Sequence, residues 1–138
     1  MAVQRLHRHY EEGGFPATGV YACELYATPR SKFWMSPAYR EAVLKIDTFW
    51  FAHSKIDPHV LFYPQFWELL KDFSYTLHWG KALSGEVDYL RPQYPRWDDF
   101  MRLRADMDPD QVFVTGYWRR HLGIDPVRME ASDADQPV

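Results

Sequence analysis

Four consecutive residues, His78-Trp79-Gly80-Lys81, set an imidazole, an indole, a backbone without a Cβ and an ammonium group side by side. The histidine and the lysine can donate hydrogen bonds to carbonyl-type oxygens. The glycine lets the main chain approach a flat partner. The same residues also fit an ordinary turn after a helix, with Trp79 in the core and Lys81 in water. A second candidate pair is Glu24 and Tyr26, which alternation places on one strand face. A carboxylate beside a phenol there is either a binding edge or plain solvent-facing surface. His7 and His9 stand two apart, not at the i, i+4 spacing of a helical metal pair. The 6 histidines form no ligand cluster in the sequence, so no metal site is expected.

The elements that must position these groups follow from periodicity. Val3, Leu6 and Tyr10 give a narrow apolar stripe over a helix from Met1 to Glu12, ended by Gly13-Gly14. Gly19 to Ala27 reads as a strand, with Ala22, Glu24 and Tyr26 on one face and Tyr21, Cys23 and Leu25 on the other. Ala42 to Ala52 is a second strand, apolar on both faces towards its end, which predicts a central place in a sheet. Only a loop separates the two, so they should pair antiparallel. After a polar linker, His53 to Pro58, Pro64 opens a helix with Phe66, Leu69, Leu70 and Phe73 on its buried stripe. That helix should run straight into the Leu77 to Lys81 stretch.

Ala82 to Tyr94 reads as a loop, with Gly85 and Pro92 as breakers. Pro95 begins another helix, with Asp98 and Asp99 in its first turn and Arg102 and Arg104 in its last, as the helix dipole favours. Trp97, Phe100, Met101 and Met107 should face the core, and Asp108-Pro109 should stop the helix. Val112 to Val114 suggests a short extended piece. Tyr117 to Gly123 closes the fold, with Gly123 as a cap and Arg119-Arg120 as a solvated pair. From Val127 the chain turns polar and acidic, which predicts a domain over residues 1–126 and a disordered tail over 127–138.

Hydrophobic residues at 46% and charged residues at 25% argue for an ordered fold. Aromatics at 17% are a heavy load for a small chain, and the rings either fill one core or leave a patch that needs covering. A net charge of −3 carries no footprint for nucleic acid and no basic block for a membrane surface. No apolar run approaches the roughly 20 residues of a membrane span, and the charged N-terminus has no signal-sequence core. Cys23 stands alone, so no intrachain disulfide forms, and a reducing, cytoplasmic location is expected.

Several stretches together resemble a known family. They run Glu24-Leu25-Tyr26, Met35-Ser36-Pro37, Leu77 to Lys81, Tyr94-Pro95-Arg96-Trp97-Asp98-Asp99-Phe100 and Arg104. Asp108-Pro109-Asp110-Gln111-Val112-Phe113 and Tyr117 to Gly123 complete the series. From about Gly19 to Gly123 the chain is similar to the C-terminal part of the arabinonolactone/gulonolactone and alditol oxidases, FAD enzymes of the vanillyl-alcohol-oxidase class. The resemblance implies an α+β fold: a cap built on an antiparallel sheet with flanking helices, lacking the FAD-binding domain. FAD would be shared with a separate N-terminal domain or partner chain, and the substrate would be a small alcohol or lactone. A homo-oligomer is a further expectation.

The resemblance also implies site residues. Glu24, His78 and Lys81 would be catalytic. His78, Trp79, Gly80 and Lys81 would lie at the cofactor, and Glu24 and Tyr26 at the substrate. In such enzymes hydride passes from a substrate C–H to flavin N5, and negative charge gathers around N1 and C2=O. Lys81 would face that charge or bind a substrate oxygen. His78 would orient the ring or assist loss of the hydroxyl proton, and Glu24 would accept hydrogen bonds from substrate hydroxyls. Relatives carry Glu-x-Arg where this chain has Glu24-Leu25-Tyr26, so a fixed cation is lost. Relatives also often show proline at Leu77 and asparagine near Thr115-Gly116. No glycine-rich phosphate loop is seen, so the chain by itself should neither hold FAD tightly nor turn over substrate. A non-catalytic binding module that kept the cap fold is the competing expectation.

Overall fold

Helix α1, Ala2–Glu11, forms where its stripe was expected, but only Leu6 is buried, while Val3 and Tyr10 are exposed. These positions belong to a computed structural model that describes residues 1–83 and 87–127. Gly13, at φ 82, makes the left-handed turn that follows α1. Phe15 to Thr18 then form one 3-10 turn, and Arg5 reaches from α1 to the Leu69 carbonyl at 3.0 Å and to Asp72 at 2.8 Å.

Strands β1, Ala22–Thr28, and β2, Val43–Phe49, pair antiparallel, with Glu24 opposite Asp47 and Tyr26 opposite Lys45. The expected α+β fold with an antiparallel sheet and flanking helices is therefore present. The expected central position of β2 is not. Among the described residues the sheet has two strands, so β2 is an edge and Leu44 is exposed. The double-faced apolar run was misleading because Trp50 lies beyond the strand, packed on Phe62 and Tyr63.

A four-residue helix α2, Pro58–Leu61, capped by the Asp57 carboxylate, leads into α3, Tyr63–Leu70. Phe66, Leu69 and Leu70 pack inward as the stripe predicts, but Phe73 lies outside the buried cluster, with Arg5 stacked over its ring. The helix does not run straight into the 77–81 stretch. It tightens into a 3-10 turn over Lys71–Phe73, and Ser74 then turns the chain through a left-handed conformation, φ 47.

The stretch read as a loop contains helix α4, Val87–Gln93, with Pro92 in its last turn. Proline there removes one donor and one helical bond, which a short helix survives when its packing is good. Leu90 supplies that packing, since it is buried in one cluster with Tyr94, Trp97, Leu122 and Ile124. Helix α5 spans Trp97–Met107, beginning two residues after Pro95. Its Met107 is 77% exposed rather than in the core, because Trp97, Phe100 and Met101 already fill the inner stripe.

Val112 to Val114 form no strand. The Asp108 carboxylate instead accepts the Val112 and Phe113 N–H groups at 2.8 and 3.1 Å, folding the segment into a turn. Helix α6, Gly116–Leu122, is capped by Thr115 and ends at Gly123, φ 65, as expected. Thr and Asn are both good caps, which gives a physical reason why either suits this position. Of the expected tail, residues 128–138 lie outside the described residues.

The hydrophobic core thus has two centres. One gathers Leu6, Phe15, Phe62 and Leu70 under α1, α3 and the sheet, and the other lies between α4, α5 and α6. The Tyr89 phenol bridges them by donating to the Tyr75 carbonyl at 2.7 Å. Leu90→Ala should lower stability by about 2–5 kcal/mol, read from the denaturant midpoint, because 1% exposure leaves no room for relaxation into water.

Candidate functional site

The Leu77–Lys81 stretch is a turn, closed by the Lys81 N–H donating to the His78 carbonyl at 2.9 Å. Its indole faces inward. Trp79 lies against Tyr94, Trp97 and Trp118, with ring centroids 5.0, 6.2 and 5.9 Å away, and its N–H donates to the Met35 carbonyl at 2.9 Å. Two phenols hold the outer strand of the turn. Tyr94 donates to the Leu77 carbonyl at 3.1 Å, and Tyr117 reaches the Trp79 and Lys81 carbonyls at 2.7 and 3.2 Å. Burial pushes the Tyr94 phenol well above its ordinary range, so it stays a donor across the physiological pH range.

With Trp79 anchored, His78 and Lys81 project outward and both are exposed. His78 Nδ1 accepts the Gly80 N–H at 3.0 Å, so in the neutral ring the proton resides on Nε2. The turn therefore offers an imidazole N–H and an ammonium group to whatever covers it. Among the described residues, Lys81 Nζ makes no hydrogen bond or ion pair. A Cβ on Gly80 would stand 3.2 Å from His78 Cε1, so the imidazole would have to give by a few tenths of an ångström.

Glu24 and Tyr26 lie together on the exposed outer face of β1. Tyr26 donates to Asp47 Oδ2 at 2.8 Å, and the Lys45 ammonium lies 5.7 Å from its ring centre. The hydrogen bond to Asp47, followed by desolvation and the charges of Asp47 and Glu24, raises the Tyr26 phenol above its usual value of 10.0. Asp47 and Lys45 were missed in the sequence. Their only signal was polarity inside an apolar run, and the strand register was needed to set them beside Glu24 and Tyr26.

The structure brings His78, Trp79, Gly80 and Lys81 onto one turn, and Glu24 and Tyr26 onto one strand face. Among the described residues no hydrogen bond, ion pair or ring contact joins the two groups. No group of three or more potential metal ligands occurs there either. Among the described residues no helix is long and apolar enough to cross a membrane.

The fold is thus a small α+β unit whose aromatic core positions one turn bearing an imidazole and an ammonium group. The chain belongs to the D-arabinono-1,4-lactone oxidase family, whose profile matches residues 2–121. It is 43% identical over 56 residues to an L-gulono-1,4-lactone dehydrogenase of Mycobacterium tuberculosis, covering 41% of this chain and 13% of that protein. It is 26% identical over 97 residues to an alditol oxidase of a Streptomyces species, covering 70% of this chain and 23% of that protein. The chain therefore spans less than a quarter of the curated relatives it matches.

Two outcomes follow from this geometry. Tyr117→Phe should cost the turn about 1 kcal/mol and speed amide exchange at Lys81 while the core amides of α5 stay protected. Asp47→Asn should bring the Tyr26 phenol back towards 10.0, as read by carbon NMR of the ring. The sign is that of a raised acid. The contribution of this bond to stability is full below the ordinary phenol value and is lost as pH rises through the higher folded value.

Proposed function

We propose that this chain is the substrate- and flavin-covering part of an FAD-linked oxidoreductase acting on the CH–OH group of a sugar lactone, alditol or related alcohol. A separate FAD-binding part completes it. The observation that carries this reading is the braced turn: its indole is committed to the core, while His78 and Lys81 stand exposed on a backbone held by Tyr94 and Tyr117. That donor set suits the polar edge of a flavin or an oxygen of the substrate. FAD, when bound, supplies the acceptor for the substrate hydride.

The chain's own residues do the rest. Lys81 offsets negative charge at the ring or holds a substrate oxygen. His78, with its proton on Nε2, donates a hydrogen bond. To take a hydroxyl proton instead, it would release the Gly80 N–H and turn. Gly80 keeps the approach to the turn open, and Trp79 fixes its depth. Glu24 accepts hydrogen bonds from substrate hydroxyls, with Tyr26 beside it.

The need for a partner is supported by apolar surface that this chain leaves in water. Met107, Val112 and Phe113 are exposed at the end of α5 and in the turn after it. That turn is cross-braced: Gln111 Nε2 donates to the Asp125 carbonyl at 2.8 Å, and Asp108 holds the two N–H groups. Rigid apolar groups of this kind are what interface anchors look like before association. The lone Cys23 fits work in the reducing cytoplasm.

The test is co-purification from the native host. The expected product is a yellow complex of this chain with an FAD-binding polypeptide, in which Lys81→Met lowers kcat/KM by about 10²-fold or more at unchanged thermal midpoint. A colourless chain, whether monomer or homo-oligomer, recovered with no flavin polypeptide would end the proposal.

A further inference from the structure

Among the described residues no strand pairs with β2 on the side away from β1. An open strand edge presents unpaired N–H and C=O groups and is a template for another strand. Along β2 the side chains run Val43, Leu44, Lys45, Ile46, Asp47, Thr48, Phe49. That run complements itself when reversed about Ile46. In an antiparallel pair of two copies centred there, Ile46 meets Ile46, Lys45 meets Asp47, Leu44 meets Thr48 and Val43 meets Phe49. Symmetry makes each unlike pair occur twice. Opposite charges and aromatic–β-branched pairs directly across an antiparallel ladder stabilise it, and like charges there oppose it. Moving the register by two residues, the smallest step that keeps every side chain on its face, sets Lys45 against Lys45 or Asp47 against Asp47. Charge therefore admits one register and rejects its neighbours.

The single chain leaves these charges unbalanced. Across the ribbon Glu24 stands opposite Asp47, and Lys45 stands opposite Tyr26. Asp47 accepts the Tyr26 phenol through Oδ2, which leaves Oδ1 for a second donor. Among the described residues Lys45 makes no ion pair, and its ammonium lies 5.7 Å from the Tyr26 ring centre. A second copy brings an ammonium to Asp47 and a carboxylate to Lys45. It also gives cross-strand neighbours to Leu44 and Phe49, which are exposed in the single chain. Strand β1 offers no such match. Reversed about Leu25, it sets Glu24 against Tyr26, whose proton is already committed to Asp47. We infer that two copies of this chain join through the β2 edge, forming a four-stranded antiparallel sheet in the order β1–β2–β2–β1 about a two-fold axis at Ile46. That axis stands perpendicular to the sheet, so pairing consumes the edge and leaves the Glu24–Tyr26 faces of both copies open on the same side. The inference goes beyond the oxidoreductase reading and does not depend on it.

The experiment is sedimentation equilibrium of the 138-residue chain, which should give twice the 16.5 kDa mass of one copy. Lys45→Asp and Asp47→Lys each place two like-charge pairs across the joint. Each should raise the dimer dissociation constant by about tenfold or more, with the fold checked by near-ultraviolet circular dichroism. Combining the two substitutions in one chain restores opposite charges and should restore the dimer. Mixing the two single variants should give a one-to-one heterodimer, because every acidic position then faces a basic one. A monomeric wild-type chain, a dimer that neither single variant weakens, or folded variants that neither mixing nor combination rescues would overturn the inference. Its failure is distinct from that of the oxidoreductase reading. A yellow complex holding one copy of this chain sinks only the inference, and a charge-sensitive dimer that never takes a flavin partner sinks only the oxidoreductase.

Discussion

The anchoring of Trp79 is the interaction on which the rest depends. One side chain closes the α4–α5–α6 core, satisfies its N–H on the Met35 carbonyl and decides which way its neighbours face. A tryptophan buried with its donor paired contributes both area and direction, and the cost of leaving that N–H unpaired would be large. Because residue 79 faces inward, the side chains of His78 and Lys81 are left on the outside. The chemistry of the turn is a consequence of its packing.

Everything around that anchor is arranged to hold a short irregular segment still. The segment has no helix or strand of its own, so its carbonyls need partners from elsewhere. Tyr94 and Tyr117 supply them from the end of α4 and from α6. Gly123 closes α6 with a left-handed residue against Val87 of α4, where a Cβ would come within 3.2 Å of a methyl carbon. The helices are short, and their stability comes from shared burial rather than from propensity. This explains why a helix with an internal proline persists at α4.

The ribbon is the opposite case. Among the described residues the two strands have no third partner, and such a pair, marginal by itself, leans on the core through Ile46. One face carries Leu25 and Leu44 in water and the other carries the Glu24–Asp47 cluster. Phe113 and Met107, at and beyond the end of α5, add further apolar side chains in water.

The sequence by itself determined the elements whose signals are local. The α1 helix, the two strands, the Pro64 entry into α3, the Asp-rich start of α5 and the Gly123 cap all rest on contacts within a turn or two. Family resemblance came from the same short motifs. Only the tertiary structure decided the rest. It made a helix of Val87–Gln93 within the stretch read as a loop, through burial of Leu90, left Met107 in solvent, and set Asp47 and Lys45 beside Glu24 and Tyr26. It also decided that Trp79 faces the core. Each of these depends on partners far away along the chain, and burial and register are properties of those pairings rather than of any one segment.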